Sequence, residues 1–171
     1  MERPKVYVAS PLGFNAIGRV YMRSLLYPAI EKLGFEILDP WAWQLGKSDK
    51  EINAMNEVPL RLEDALGLGN TNIKEIKNCN IMVAVLDGSD IDSGVSSEIA
   101  LASEIGKPVF GLYTDFRKKG DSELGINLQV AAFIFNSGGE VYRTLDELLT
   151  KLSEFGKRFQ AVKKNITKSK L

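Results

Sequence analysis

The sequence predicts an α/β fold in three layers, with helices on both faces of a five-stranded, mostly parallel sheet. Two observations predict it. The run Ile81-Met-Val-Ala-Val-Leu86 is apolar throughout and rich in β-branched side chains, as expected of a strand buried on both faces of a parallel sheet. Strand-like and helix-like stretches alternate along the chain, and the right-handed crossover rule leaves few topologies for such an order.

The elements follow in sequence. Lys5-Val-Tyr-Val-Ala9 alternates and reads as a first strand, stopped by Ser10-Pro-Leu-Gly-Phe14. Asn15 is a candidate cap for a helix whose inner face is expected to be Ile17, Val20, Tyr21, Ser24 and Leu25. Pro28 should interrupt that helix at the cost of a hydrogen bond and a kink, before Ile30 and Leu33 resume it and Gly34 ends it. Phe35 to Leu38 is the second strand. It leads into Asp39-Pro-Trp-Ala-Trp43, so Trp41 and Trp43 lie beyond the carboxyl end of a strand, where they either stack a flat ligand or lid the core. Gly46 to Gly69 shows helix-compatible pieces (Asp49 to Asn56, Val58 to Leu66) and no strand signal, the pattern of an insertion. Asn70 to Asn78 is a short amphipathic helix with Ile73 and Ile76 inward.

The central strand then opens into the acidic segment Asp87 to Asp92. Beyond it Val95, Ile99, Ala102 and Ile105 recur at helical spacing, with Asp92 or Ser93 as N-cap and Gly106 as the stop. This strand-loop-helix unit gathers Asp87, Asp90, Asp92 and Glu98 at a carboxyl end, where open α/β sheets bind their ligands. Solvated loop acids are the plainer alternative. Pro108 to Tyr113 is the next strand, followed by a polar loop from Thr114 to Gly125. Asn127 to Phe135 is apolar on nearly every side, so it is expected to pack against another subunit. Glu140 to Arg143 is the last strand, and Thr144 with Glu147 forms a capping box for a final helix through Phe155. The expected domain is 1–156, with a basic tail over 157–171. A flavodoxin-like strand order fits this succession best.

Composition narrows the chemistry. The 171 residues suffice for one domain with a real core, and 44% hydrophobic with 26% charged residues are globular values. No apolar run approaches the roughly 20 residues that cross a bilayer, and no signal peptide is read at the start, so a cytoplasmic protein with no membrane partner is expected. The 22 basic and 22 acidic residues balance, but 157–171 hold six basic and no acidic side chains, leaving 16 against 22 before them. That tail is expected to be solvated or frayed, and no nucleic-acid partner is expected. The single cysteine, Cys79, should be an inert buried thiol. There is no histidine, which removes imidazole bases and most zinc sites and leaves carboxylates, Tyr and Lys for acid-base work. Neither Gly-x-Gly-x-x-Gly after the first strand nor a Walker loop occurs, so no cofactor and no metal are expected. A strand tyrosine, two tryptophans and a carboxylate cluster are parts suited to attack on an anomeric carbon: a nucleophile, an acid or holding group, and a surface for a flat leaving group.

The chain resembles the nucleoside 2-deoxyribosyltransferase family almost throughout to Phe155. The resemblance rests on Val6-Tyr-Val-Ala-Ser-Pro-Leu-Gly-Phe14, Asn72 to Asn80, Gly125-Ile-Asn-Leu-Gln129 and, most specifically, Asp92-Ser-Gly-Val-Ser-Ser-Glu98. It implies that Glu98 is a nucleophile attacking C1′ of a 2′-deoxynucleoside, that Tyr7 orients it, and that Asp92 binds sugar hydroxyls or shuttles a proton. It implies substrate contacts from Gly13, Phe14, Trp41, Asn72 and Gly94, with Asn127 contributed by a neighbouring subunit of a homo-oligomer built on dimers, up to a hexamer. The partners implied are deoxynucleosides and free nucleobases, and the activity a retaining transfer of 2-deoxyribose between bases in nucleoside salvage. Many relatives carry an aspartate where this chain has Asn72, which looks like the purine-preferring branch and cannot protonate a departing base. Similar 5′-monophosphate N-glycosidases share the fold and the glutamate but hydrolyse, which makes hydrolysis of deoxynucleosides or nucleoside 5′-monophosphates the alternative. Ser10, Arg19, Ser93 and Ser96 are the candidate phosphate contacts for that reading, and a non-catalytic nucleotide-binding module is a third. Near the start of its helix, Glu98 is expected to be held ionised by the helix dipole.

Overall fold

The structure, a computed structural model, describes residues 2–44, 47–56, 60–117 and 120–168. Five strands form one sheet in the order β2-β1-β3-β4-β5: β1 Lys5–Ala9, β2 Glu36–Leu38, β3 Ile81–Val85, β4 Val109–Leu112 and β5 Glu140–Tyr142. Every neighbouring pair is parallel. This is the flavodoxin-like order, and it reverses direction between β1 and β3, so the two chain segments leaving those strands diverge and open a crevice.

Alternation along the strands divides the core in two. Tyr7, Ala9, Met82 and Ala84 face a cluster with Ile76, Val95, Ile99 and Ala102, and therefore lie under α4 (Leu62–Asn78), α5 (Ser93–Glu104) and α6 (Leu128–Asn136). Val6, Val8, Ile81, Val83 and Val85 face Leu26, Ile30, Leu148 and Leu152, on the other side. That side is covered by α1 (Ala16–Tyr21), α2 (Tyr27–Lys32) and α7 (Leu145–Lys168). Every residue of β3 is buried, as a strand covered on both faces requires. Cys79 is buried, and that burial raises its thiol pKa, in line with an inert side chain.

Several elements differ from expectation. Pro28 does not break its helix. It sits in the first turn of α2, and one turn earlier Met22–Leu26 winds as a π-turn between α1 and α2. The inner face there is Met22, Leu26 and Ile30, while Ile17 at 85% and Val20 at 64% exposure point outward, as does Leu25. The widened turn shifts the register that a regular 3.6-residue period assumes. α3 (Asp49–Asn56) is where expected, but α4 starts at Leu62 rather than Asn70, running through Gly67 and Gly69. Residues 60–71 are exposed, Ile73 faces largely outward, and only Ile76 of the expected pair is buried. The piece expected from Val58 begins outside the described residues. The capping box forms as read, with the Glu147 amide donating to Thr144 Oγ1 at 3.2 Å and the Thr144 amide donating to Glu147 Oε2 at 3.1 Å. Its helix continues past Phe155 to Lys168, so most of the basic segment is helical, and Lys163 meets Glu2 at 2.8 Å. No helix among the described residues is long and apolar enough to cross a membrane.

The turn into β5 brings Gly139 close against the backbone of β4. A Cβ on Gly139 would lie 1.8 Å from the Val109 carbonyl oxygen, a backbone atom that cannot yield without moving β4. Gly139→Ala should therefore cost about 2–4 kcal/mol of folding stability, read from the midpoint of urea denaturation.

Candidate active site

β1 and β3 end side by side at the reversal of strand order. β1 passes at Ala9 into the 3-10 turn Pro11–Phe14, and β3 passes through the acidic loop into α5. Between them a pocket of about 280 Å³ is lined by Ser10, Phe14, Pro40, Trp41, Leu60, Leu68, Asn72, Asp92, Gly94, Val95 and Glu98. Tyr7 belongs to the strand face beneath α4 and α5, which is why its hydroxyl meets side chains from both helices.

Glu98 is the meeting point. Tyr7 donates its hydroxyl to Glu98 Oε1 at 2.6 Å, and Asn72 donates Nδ2 to the same oxygen at 3.4 Å. A short, charge-assisted bond from a wholly buried tyrosine fixes the carboxylate's rotamer. The expected electrostatics are corrected here. Burial disfavours the carboxylate most strongly and the negative charge of Asp92 adds to it, while the bonds from Tyr7 and Asn72 oppose. The net result holds the Glu98 pKa above the ordinary carboxylate range. Burial and the adjacent Glu98 charge likewise push the Tyr7 phenol far above its usual value, so Tyr7 is a hydrogen-bond donor at neutral pH. Asp92 caps α5, accepting the Val95 amide through Oδ1 at 3.0 Å. A Cβ on Gly94 would sit 3.0 Å from that oxygen, so the glycine leaves Asp92 room to cap.

The opposite wall is aromatic. Trp41 lies across Gly13, where a Cβ would come within 2.1 Å of the indole, and Phe14 meets Trp41 edge-on with centroids 4.6 Å apart. Gly13 is therefore the support on which the wall rests rather than a lining residue. Trp41 Nε1 donates to the Ser10 carbonyl at 2.9 Å. Ser10, Pro40, Leu60 and Leu68 line the pocket without having been singled out for it by the sequence-based reading, apart from Ser10 as a phosphate contact. The two leucines come from the exposed part of α4 and the residues before it, and their only sequence signal was their apolar character in a polar, Gly-rich stretch.

Other candidates lie elsewhere. Asp87 is turned to the loop after β4, accepting from the Thr114 amide, the Thr114 hydroxyl and the Asp115 amide at 2.7–2.8 Å. Asp90 accepts from the Ile91 amide. Of the four acids expected together, Asp92 and Glu98 share the pocket. Arg19 is buried and donates to the Gly13 carbonyl at 3.1 Å, supporting the loop from behind. Ser93 is exposed and Ser96 half-buried, and neither lines the pocket. Asn127 caps α6, accepting from the Gln129 and Val130 amides, and it does not line the pocket of its own chain. The Trp43 side chain lies outside the described residues.

Among solved structures, a conserved protein from Enterococcus faecalis V583 is similar at 26% identity and a TM-score of 0.67, covering 90% of this chain and 99% of that one. A 2-deoxyribosyltransferase from Bacillus psychrosaccharolyticus matches at 20% identity and 0.61, over 85% and 90% of the two chains. A CMP N-glycosidase from Clostridium botulinum matches at 19% and 0.52, over 88% and 98%. No curated protein matches the sequence. The chain therefore shares the α/β fold of these structures. More narrowly, it belongs to the nucleoside 2-deoxyribosyltransferase family, whose description matches residues 6–136.

A carboxyl group with a raised native pKa binds more protons folded than unfolded between the two pKa values, so folding stability falls as pH rises through that window. Below the ordinary value of 4.5 the contribution is absent, and above the native pKa it is a constant penalty. Glu98→Gln should therefore be more stable than wild type at pH 7 and equal to it near pH 4, which denaturation across the pH range will read.

Proposed function

We propose that this enzyme transfers 2-deoxyribose between nucleobases by a retaining double displacement through Glu98, in nucleoside salvage. The observation that carries the reading is the pairing of Tyr7 with Glu98 in a pocket walled on the other side by Trp41 and Phe14. Tyr7 and Asn72 both bind Oε1, which leaves Oε2 to attack C1′. The C1′–N bond breaks as the C1′–Oε2 bond forms, the electron pair departs with the base nitrogen, and that base takes a proton. The ester on Glu98 is then displaced by a nitrogen of a second base, which releases its proton and restores the configuration.

Each neighbour has a role. Tyr7 holds the nucleophile's rotamer. Asp92 places negative charge beside the oxocarbenium-like transition state and receives sugar hydroxyls or the base proton. Asn72 steadies Glu98 but cannot act as an acid, so the proton comes from Asp92 or water. Gly13, Phe14, Trp41 and Gly94 shape the base and sugar walls.

Hydrolysis of nucleoside 5′-monophosphates is the second reading, supported by the likeness in fold to the N-glycosidase. The pocket favours an uncharged nucleoside, because among the described residues its lining includes two carboxylates and no cation, and a phosphate dianion there would be repelled. Asn127 fits the shared-site reading. It is exposed, stands away from its own pocket, and begins a helix that leaves Leu128 and Phe135 uncovered.

Two experiments test this function. With deoxyadenosine and free hypoxanthine, wild type should yield deoxyinosine, and intact-mass analysis should catch one deoxyribosyl unit on the protein. Glu98→Ala should lose several orders of magnitude in turnover and form no adduct. Free adenine without deoxyinosine would favour the hydrolase. In the second, Glu98→Ala and Asn127→Ala subunits are dissociated and reassembled together. Sites built from two chains should recover about a quarter of wild-type activity, whereas sites within one chain should recover none.

A further inference from the structure

Asp39 has no place among the lining residues, yet it is the anchor of the aromatic wall. It follows β2 directly. Its Oδ1 accepts two bonds, from the Tyr27 hydroxyl at 2.7 Å and from the Trp41 amide at 2.8 Å. Both converge on one oxygen, so a single carboxylate ties α2 to the Pro40–Trp41 segment. Trp41 is then fixed from two further sides, by Nε1 on the Ser10 carbonyl and by its contact across Gly13. Tyr27, which reaches Asp39, is the first residue after the π-turn Met22–Leu26. π-turns inside α-helices recur at functional sites.

Burying a carboxylate carries a cost, and burial does raise the pKa of Asp39. A neutral side chain could tie two loop segments together without that cost. What the charged acceptor adds is strength in the bonds that set one backbone position, that of Trp41.

Resting on the reading of the pocket as a nucleobase site, we infer that Asp39 is a positioning residue for the base, acting through Tyr27 and Trp41. It sets the plane of the indole against which the base lies, and so governs base affinity more than the chemical step at Glu98.

The test measures adenine binding directly, without a sugar donor, by fluorescence in a Trp43→Phe background where Trp41 is the remaining indole. Asp39→Ala should weaken adenine binding about tenfold, while Asp39→Asn, which keeps an acceptor oxygen, should stay within about threefold of the parent. Tyr27→Phe, which keeps the ring and removes one bond, should weaken it about threefold. In turnover the loss should fall on KM for the acceptor base more than on kcat. A dissociation constant within about twofold of the parent for both Asp39→Ala and Tyr27→Phe would overturn the assignment even if both variants melt lower, since that is the pattern of a purely structural role. Should Asp39→Ala fail to fold, Tyr27→Phe decides alone. Absence of adenine binding by the parent also overturns it. Adenine binding without deoxyribosyl transfer would instead refute the transferase reading and leave the role of Asp39 standing.

Discussion

A half-buried carboxylate held by a tyrosine hydroxyl is the constraint around which this molecule is arranged. Burial and the negative charge of Asp92 hold the Glu98 pKa above the ordinary carboxylate range, and the Tyr7 hydroxyl opposes them. The compromise depends on Tyr7, and Tyr7 depends on the sheet. Its side chain emerges on the α4 and α5 face because strand residues alternate, and its backbone is locked by pairing with Leu38 on one side and Met82 on the other. A one-residue slip of β1 would send the hydroxyl to the α2 and α7 face and leave Glu98 with the longer bond from Asn72. The regular part of the fold thus holds the least regular electrostatics to within a hydrogen-bond length.

The two sides of the pocket are built differently. The carboxylate side comes from a strand and two helices with buried apolar anchors, Ile76 on α4 and Val95 and Ile99 on α5. The aromatic side comes from two short post-strand segments held by side-chain and backbone hydrogen bonds. Regular secondary structure supports the Glu98 side, and polar ties support the Trp41 side. A change of shape on the Trp41 side therefore leaves the Tyr7–Glu98 bond intact.

Much of this was legible from residues alone, and the failures share a cause. The strands were readable because parallel central strands are continuous apolar runs, and the cap at Asp92 and the box at Thr144 and Glu147 are local signals that tertiary context did not override. The family resemblance supplied Glu98, Tyr7 and Asp92, and the pocket brings Asp92 and Glu98 together above Tyr7. Periodicity failed at the helix before β2, because a π-turn breaks the 3.6-residue count at the point where Pro28 hinted at a break of another kind. Spacing placed Asp87 and Asp90 beside Glu98, but loop acids turn toward the nearest unpaired amides, and those lay at Thr114, Asp115 and Ile91. Leu60 and Leu68 escaped notice because nothing local distinguishes a pocket leucine from an exposed one.

The clasp between the first residues and the last helix has a practical side. Glu2 receives Gln160 Nε2 on its carbonyl and Lys163 on its carboxylate, just ahead of the strand that begins at Lys5. That is the amino edge of the sheet, whereas the pocket opens at the carboxyl edge. An attachment made near residue 2 or along the end of α7 would hold the molecule from behind, with its mouth turned to the solution.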